Sequence, residues 1–232
     1  MQHETLPEHG LRQITGPAFI GGAAVLIVAN VLFPRAEDPW DTTAVLTMMA
    51  DSQTLRQASF LAVVAGVMAV TAGLVGIQRS LSSGSAAVWA RIGLATALVG
   101  AALFIAAAAL GMAATGVAVE WVAAGSDVTT TEYAVAAALN VADDGVWFLS
   151  IITYWGGLGL IGVAMVTSRD YPRWLGVWIL VAGFANALLV GVPLALGAQV
   201  AALFLVFGAF GMLTAVWALT TGVWVLRKLR WG

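Results

Sequence analysis

Six long apolar runs alternate with shorter polar breaks along the chain, at residues 17–33, 58–77, 86–119, 145–166, 174–196 and 200–226. Most approach the ~20 residues that a helix needs to cross the hydrocarbon core of a bilayer. Within each run apolarity is near-continuous and lacks the apolar–polar alternation of a membrane barrel strand. An unpaired backbone group is costly in lipid, and a helix satisfies its backbone within one segment. The pattern predicts an all-α fold, a six-transmembrane-helix bundle over residues 17–226.

The breaks at about 34–57 and 120–144 are longer than connections require, and each carries a helical signal. After Pro39, Asp41 is placed to cap a short helix over residues 42–54, with Val45, Leu46, Met48 and Met49 available to an apolar side. In the second break, Thr129, Thr130 and Thr131 precede Glu132, and Val135, Ala138 and Val141 recur at a spacing of three. That predicts another short helix within the loop, and both are expected on the membrane surface or over the mouth of the bundle.

Composition agrees: 61% hydrophobic and 9% charged residues with a mean hydropathy of +0.94, against about 25% charged in soluble domains. Basic residues retained on the cytoplasmic side set the orientation. Arg12, Arg79, Arg91, Arg169, Arg173, Arg227, Lys228 and Arg230 fall on one side and only Arg35 and Arg56 on the other. Both termini are expected in the cytoplasm, as a tail over residues 1–16 and a basic tail over 227–232, and the protein in the cytoplasmic membrane. Glu4 and Glu8 beside a single Arg12 make a poor signal peptide, so the first span is expected to be retained. Zero cysteines exclude disulfides and thiolate chemistry, and a net charge of -2 gives no basis for nucleic-acid binding.

A weak internal likeness links the second and third spans to the fourth and fifth. Phe60-Leu61, Gly73-Leu74-Val75-Gly76, Arg91 and Gly100 are echoed by Phe148-Leu149, Gly159-Leu160-Ile161-Gly162, Arg173 and Gly183. A duplication of hairpins running in one direction is a transporter-like arrangement, although Gly-rich apolar helices also resemble one another by chance. The glycines 157, 159 and 162, followed by Ser168-Arg169-Asp170-Tyr171-Pro172-Arg173-Trp174-Leu175-Gly176-Val177 and Gly183, resemble the signature hairpin of the DUF4386 family of small multipass membrane proteins. The resemblance implies the same architecture and brings no catalytic residue, because that family has no established biochemical activity.

In that motif Pro172 suits a helix start, while Arg169, Arg173 and Trp174 form an interfacial anchor for lipid headgroups or a partner. Gly157, Gly159 and Gly162 also match the dinucleotide fingerprint literally, but inside a membrane span they lack its strand-to-helix turn. Small residues there, and at Gly66, Gly73, Gly76, Gly100, the alanines 106–109, Gly208 and Gly211, predict closely packed helices.

Intramembrane polar groups are the best route to function because burying them is expensive. Tyr154 and Asn186 sit at similar depth in adjacent spans, where they can hydrogen-bond to each other or line a cavity with Thr71. Trp155, Trp178 and Trp217 lie deeper than the interfacial tryptophans and can pack the core or stack on an apolar ligand. Asp143 and Asp144 adjoin the fourth run; Asp144 is read as its helix cap with Asp143 solvated, or both join Glu120 in an outer carboxylate cluster. His3 and His9 are the only histidines and Lys228 the only lysine, which excludes bis-His haem and a Schiff-base lysine in the bundle. No metal site and no cofactor are expected.

The expected function is a non-enzymatic binding, sensing or accessory module of the cytoplasmic membrane, whose partners are membrane lipids and a membrane protein or a second copy of the chain. The alternatives are a small transporter of a neutral or apolar solute and an enzyme acting on lipid headgroups through Glu120, Asp143 and Asp144.

Overall fold

The computed structural model describes residues 6–81 and 83–230, and its secondary structure is entirely helical. Expectations for residues 1–5 and 231–232, and for the side chains of Arg12 and Arg230, lie outside the described residues. The elements are α1 (Leu6–Leu32), α2 (Thr42–Asp51), α3 (Gln53–Ser80), α4 (Gly84–Ala123), α5 (Thr131–Thr167), α6 (Arg173–Asn186), a π-helical turn (Ala187–Gly191), α7 (Val192–Ala195) and α8 (Ala202–Arg230). Six segments are long and apolar enough to cross a membrane: Gln13–Leu32, Gln53–Ser80, Gly84–Ala123, Thr131–Thr167, Arg173–Ala195 and Ala202–Lys228.

The short helix after Pro39 forms with the cap its sequence predicts, but it ends at Asp51 instead of 54, and α3 begins at Gln53. Asp41 is its cap, accepting hydrogen bonds from the backbone amides of Thr43 at 2.9 Å and Ala44 at 3.2 Å. The second expected loop helix is different. It is the first part of α5, which begins at Thr131 with Thr130 as cap and runs unbroken through Gly145 into the fourth span. Asp144 is therefore inside a helix and does not cap one, and Asp143 is buried and not solvated. Asp143-Asp144-Gly145 reads as a boundary, but Ala136, Ala137, Ala138 and Ala142 are strong helix formers, and one mid-helix glycine costs only about 1 kcal/mol.

This continuity makes a cap above the bundle. At 1.5 Å per residue, the 40 residues of α4 extend about 60 Å, twice the thickness of a hydrocarbon core. The excess lengths of α4 and α5 pack with α2 in a separate small core of Val45, Leu46, Met49, Ala114, Ala118, Trp121 and Ala136. The connection between them is tight. Gly125 takes φ +101°, the Trp121 indole donates to the Asp127 carbonyl at 3.0 Å, and the Asp127 carboxylate accepts from the amide and hydroxyl of Thr129. Those hydrogen bonds hold the exposed Asp127 carboxyl below its ordinary pKa.

Six helical segments close into a ring. α1 packs against α3 and α8, α5 against α4 and α6, and α3–α4 and α6–α8 contacts complete the circuit. Glycines set most of these approaches. A Cβ on Gly22 would lie 2.9 Å from the Gly66 carbonyl oxygen, and one on Gly157 would lie 2.5 Å from the Ala97 amide nitrogen. The close packing expected at Gly66, Gly73, Gly76 and Gly100 is present, whereas Gly208 has open space around it and Gly211 meets only Asn30, at 4.0 Å. α8 is thus gripped at one end, where Gly222 faces Gly16, and held away from the bundle at the other.

The gripped end is also stapled by the turn between α5 and α6. The Tyr171 hydroxyl lies 2.8 Å from the Ser80 hydroxyl of α3, and the Tyr171 ring packs 5.1 Å from Trp224 of α8. Lys228 donates to the Asp170 carbonyl at 3.0 Å. The Asp170-Tyr171-Pro172 turn of the recognised hairpin therefore joins three parts of the ring. Further along the fifth span, Pro193 has no amide hydrogen to donate and its ring crowds the carbonyl four residues back, and the chain accommodates it with the π-helical turn Ala187–Gly191.

Candidate functional site

A cavity of about 610 Å³ fills the opposite, looser half of the ring, enclosed by α1, α3, α4, α5 and α8. Its deep part is apolar and aromatic: Val67 and Val70 from α3, Phe104 from α4, Tyr154 and Trp155 from α5, and Phe207 from α8. Phe104 meets Tyr154 edge-on at 5.9 Å, and Trp155 packs on Phe207 at 5.3 Å. The Trp155 indole donates to the Thr214 hydroxyl at 3.2 Å and links α5 to α8 across the floor.

Toward the α2 end the lining becomes charged. Arg56 is only 6% exposed; its Nε donates to the Thr115 hydroxyl at 3.2 Å, and its guanidinium lies 4.9 Å above the Phe60 ring and 5.2 Å from that of Phe33. Thr115 in turn donates to the Gly111 carbonyl at 2.7 Å. Asp143 and Asp144 act on Arg56 electrostatically and line the same cavity. Asp143 Oδ2 packs against Gly111, 2.8 Å from where a Cβ there would sit, so the glycine makes room for the carboxylate. Trp147, one turn deeper than Asp143, stacks on Phe204 with rings 5.8 Å apart and nearly parallel.

The residues singled out in the sequence are dispersed. Tyr154 and Trp155 line the cavity, while Asn186, Trp178 and Trp217 do not. The Tyr154 phenol faces the Thr71 hydroxyl rather than Asn186, although neither group has a hydrogen-bond partner of good geometry. Trp217 is a structural tie, fully buried, with its indole donating to the Leu175 carbonyl at 3.0 Å and its ring edge-on to Phe19. Trp178 is half-buried beside Trp174, which is 54% exposed; Arg169 and Arg173 are exposed as well. Glu120 is exposed and outside the cavity, and no group of three His, Cys, Asp or Glu among the described residues can hold a metal ion. A site formed by Glu120, Asp143 and Asp144 together is therefore corrected to an Asp143–Asp144 pair facing Arg56. Glu120 lies near the end of α4, whereas the pair sits more than three turns into α5.

Arg56 is the cavity residue that the sequence pattern alone did not single out. It carried a signal: it is one of two basic residues on the side otherwise poor in them, and it opens an apolar span with Phe60 one turn later.

Asn186 has a different meaning. It is 0% exposed, both side-chain amide atoms lack partners, and it immediately precedes the π-helical turn. Leaving a buried polar group unsatisfied costs about 1–3 kcal/mol. Asn186→Leu, similar in volume, is expected to raise the thermal midpoint in detergent. A lowered midpoint would show that the amide is satisfied in the protein.

A ring of membrane-length helices, stapled at one end and hollow at the other, defines a multi-pass α-helical membrane protein. The chain belongs to the family described as "Domain of unknown function (DUF4386)", which it matches over residues 14–228. No curated protein and no solved structure matches it.

Proposed function

We propose that this protein is a non-enzymatic binding module of the cytoplasmic membrane that holds an amphiphilic molecule with an apolar chain, admitted at the non-cytoplasmic end. The observation that carries this reading is the cavity, apolar and aromatic in its depth and charged at its mouth. Its volume of about 610 Å³ suits one small ligand; such sites run from about 300 to 1,000 Å³. The stapled end opposite the cavity favours holding a ligand over passing it through. The preponderance of Lys and Arg at that stapled end supports a cavity facing away from the cytoplasm. Transport of an apolar solute is the second reading, favoured by the π-helical turn and Pro193, where the fifth span can bend.

Native mass spectrometry of protein extracted in a mild detergent tests the binding reading. The expected result is a bound molecule at one per chain. Gly208 lies in the cavity-facing stripe of α8 with open space around it, so Gly208→Trp is expected to fill the cavity without a clash and remove that mass. A bare wild-type chain, or a mass that survives Gly208→Trp, overturns the assignment of the cavity as the site. Flux of an apolar solute through liposomes containing the protein would favour the transport reading.

A further inference from the structure

We propose that the ligand's head carries a single positive charge, a protonated amine or quaternary ammonium group, seated between the Asp143 and Asp144 carboxylates and the stacked Trp147–Phe204 pair. This rests on the cavity being the ligand site proposed above.

The first support is Asp143 itself. It lines the cavity, is 8% exposed, and accepts no hydrogen bond among the described residues. A carboxylate taken out of water is costly unless a charge or donor compensates it. Arg56 faces both carboxylates, but no hydrogen bond or ion pair among the described residues joins it to either: Thr115 holds its Nε, and two aromatic rings flank its guanidinium. Asp144 is little better served, with one long contact of 3.5 Å from Asn140.

The second support is the balance of charge. The cavity lining holds two arginines, Arg35 and Arg56, against three carboxylates, Glu37, Asp143 and Asp144. Arg35 and Glu37, both exposed at the rim, cancel in charge and leave Arg56 against Asp143 and Asp144. One negative charge is left over, and a head with one positive charge cancels it. An anionic head adds to the excess, and beside a neutral head the excess is removed only if a carboxyl takes up a proton. A divalent metal ion demands about six oxygen ligands in a compact shell, and no group of three candidate ligands exists among the described residues.

The third support is the ring chemistry. Trp147 lines the cavity one turn deeper than Asp143, and its indole is the best aromatic partner for a cation. A cationic head at that level places its hydrocarbon chain among Val67, Phe104 and Trp155.

The test compares three probes of equal chain length, dodecyltrimethylammonium, dodecanol and laurate, titrated into the wild-type protein and Asp143→Asn in maltoside micelles, with Trp fluorescence and native mass spectrometry as readouts. The cationic probe is expected to bind at least tenfold tighter than the other two to wild type. Asp143→Asn, which changes one atom and removes a buried charge, should erase the preference while the neutral chain still binds. Equal binding of all three probes overturns the cationic head and leaves the cavity reading intact. Binding of none overturns both. A preference that persists in Asp143→Asn combined with Asp144→Asn overturns the assignment to this pair.

Discussion

Gly100→Ala is expected to prevent or severely weaken folding, although it adds a single methyl group. The added Cβ runs into the backbone amide and Cα of Tyr154 on α5, atoms that cannot step aside as a flexible side chain can. Relief requires the two longest helices to separate, along with Gly93 and Gly157, which also make close backbone approaches across the same interface. Overpacking at such a point costs on the order of 3 kcal/mol, a large share of a stability of about 5–15 kcal/mol. Gly116→Ala in the same helix is the control. Nothing lies within 4 Å of its Cβ position, so the change should be neutral or stabilising by up to about 1 kcal/mol through helix propensity. Monodispersity in detergent and denaturant titration of the two variants measure the difference. Equal behaviour would mean that α4 and α5 are not in close contact.

Arg56→Met is expected to be the most damaging substitution at the cavity mouth. It keeps much of the packing against Phe33 and Phe60 but removes the positive charge facing Asp143 and Asp144. Two neighbouring carboxylates then share a poorly hydrated site with no counter-charge inside it. Stripping one sign from a buried charge cluster costs about 3 kcal/mol. Adding Asp143→Asn to Arg56→Met removes one of the stranded charges and should recover roughly half of that loss. The double-mutant cycle, read from denaturation midpoints, gives the coupling directly. A neutral Arg56→Met would show that the carboxylates do not depend on Arg56.

Much of the architecture was legible before any coordinates. The six spans follow from apolar run length, and α2 follows from Asp41 preceding a short run with one apolar side. The start of α5 was not legible, because Asp143-Asp144-Gly145 resembles a helix boundary in a linear reading. In the ring those carboxylates face Arg56 instead of water, and Gly111 opposite leaves room for one of them. Gly208 and Gly211 were misread as packing residues for a related reason: a glycine permits close approach but does not enforce it, and at the loose end of α8 nothing approaches.

The sequence by itself determined the number of spans, the capped α2 and the family, because transfer of apolar segments into lipid and local capping depend only on neighbouring residues. It did not determine which side of each helix faces inward. Lipid chains and a helix-bundle interior are similarly apolar, so a membrane helix lacks the polar face that orients a helix in water. Tertiary structure decided that facing. It brought Arg56 of the second span to Asp143 and Asp144 of the fourth, turned Tyr154 and Trp155 into a shared cavity while leaving Asn186 and Trp217 out, and opened the bundle at the end where α8 is not gripped by glycine.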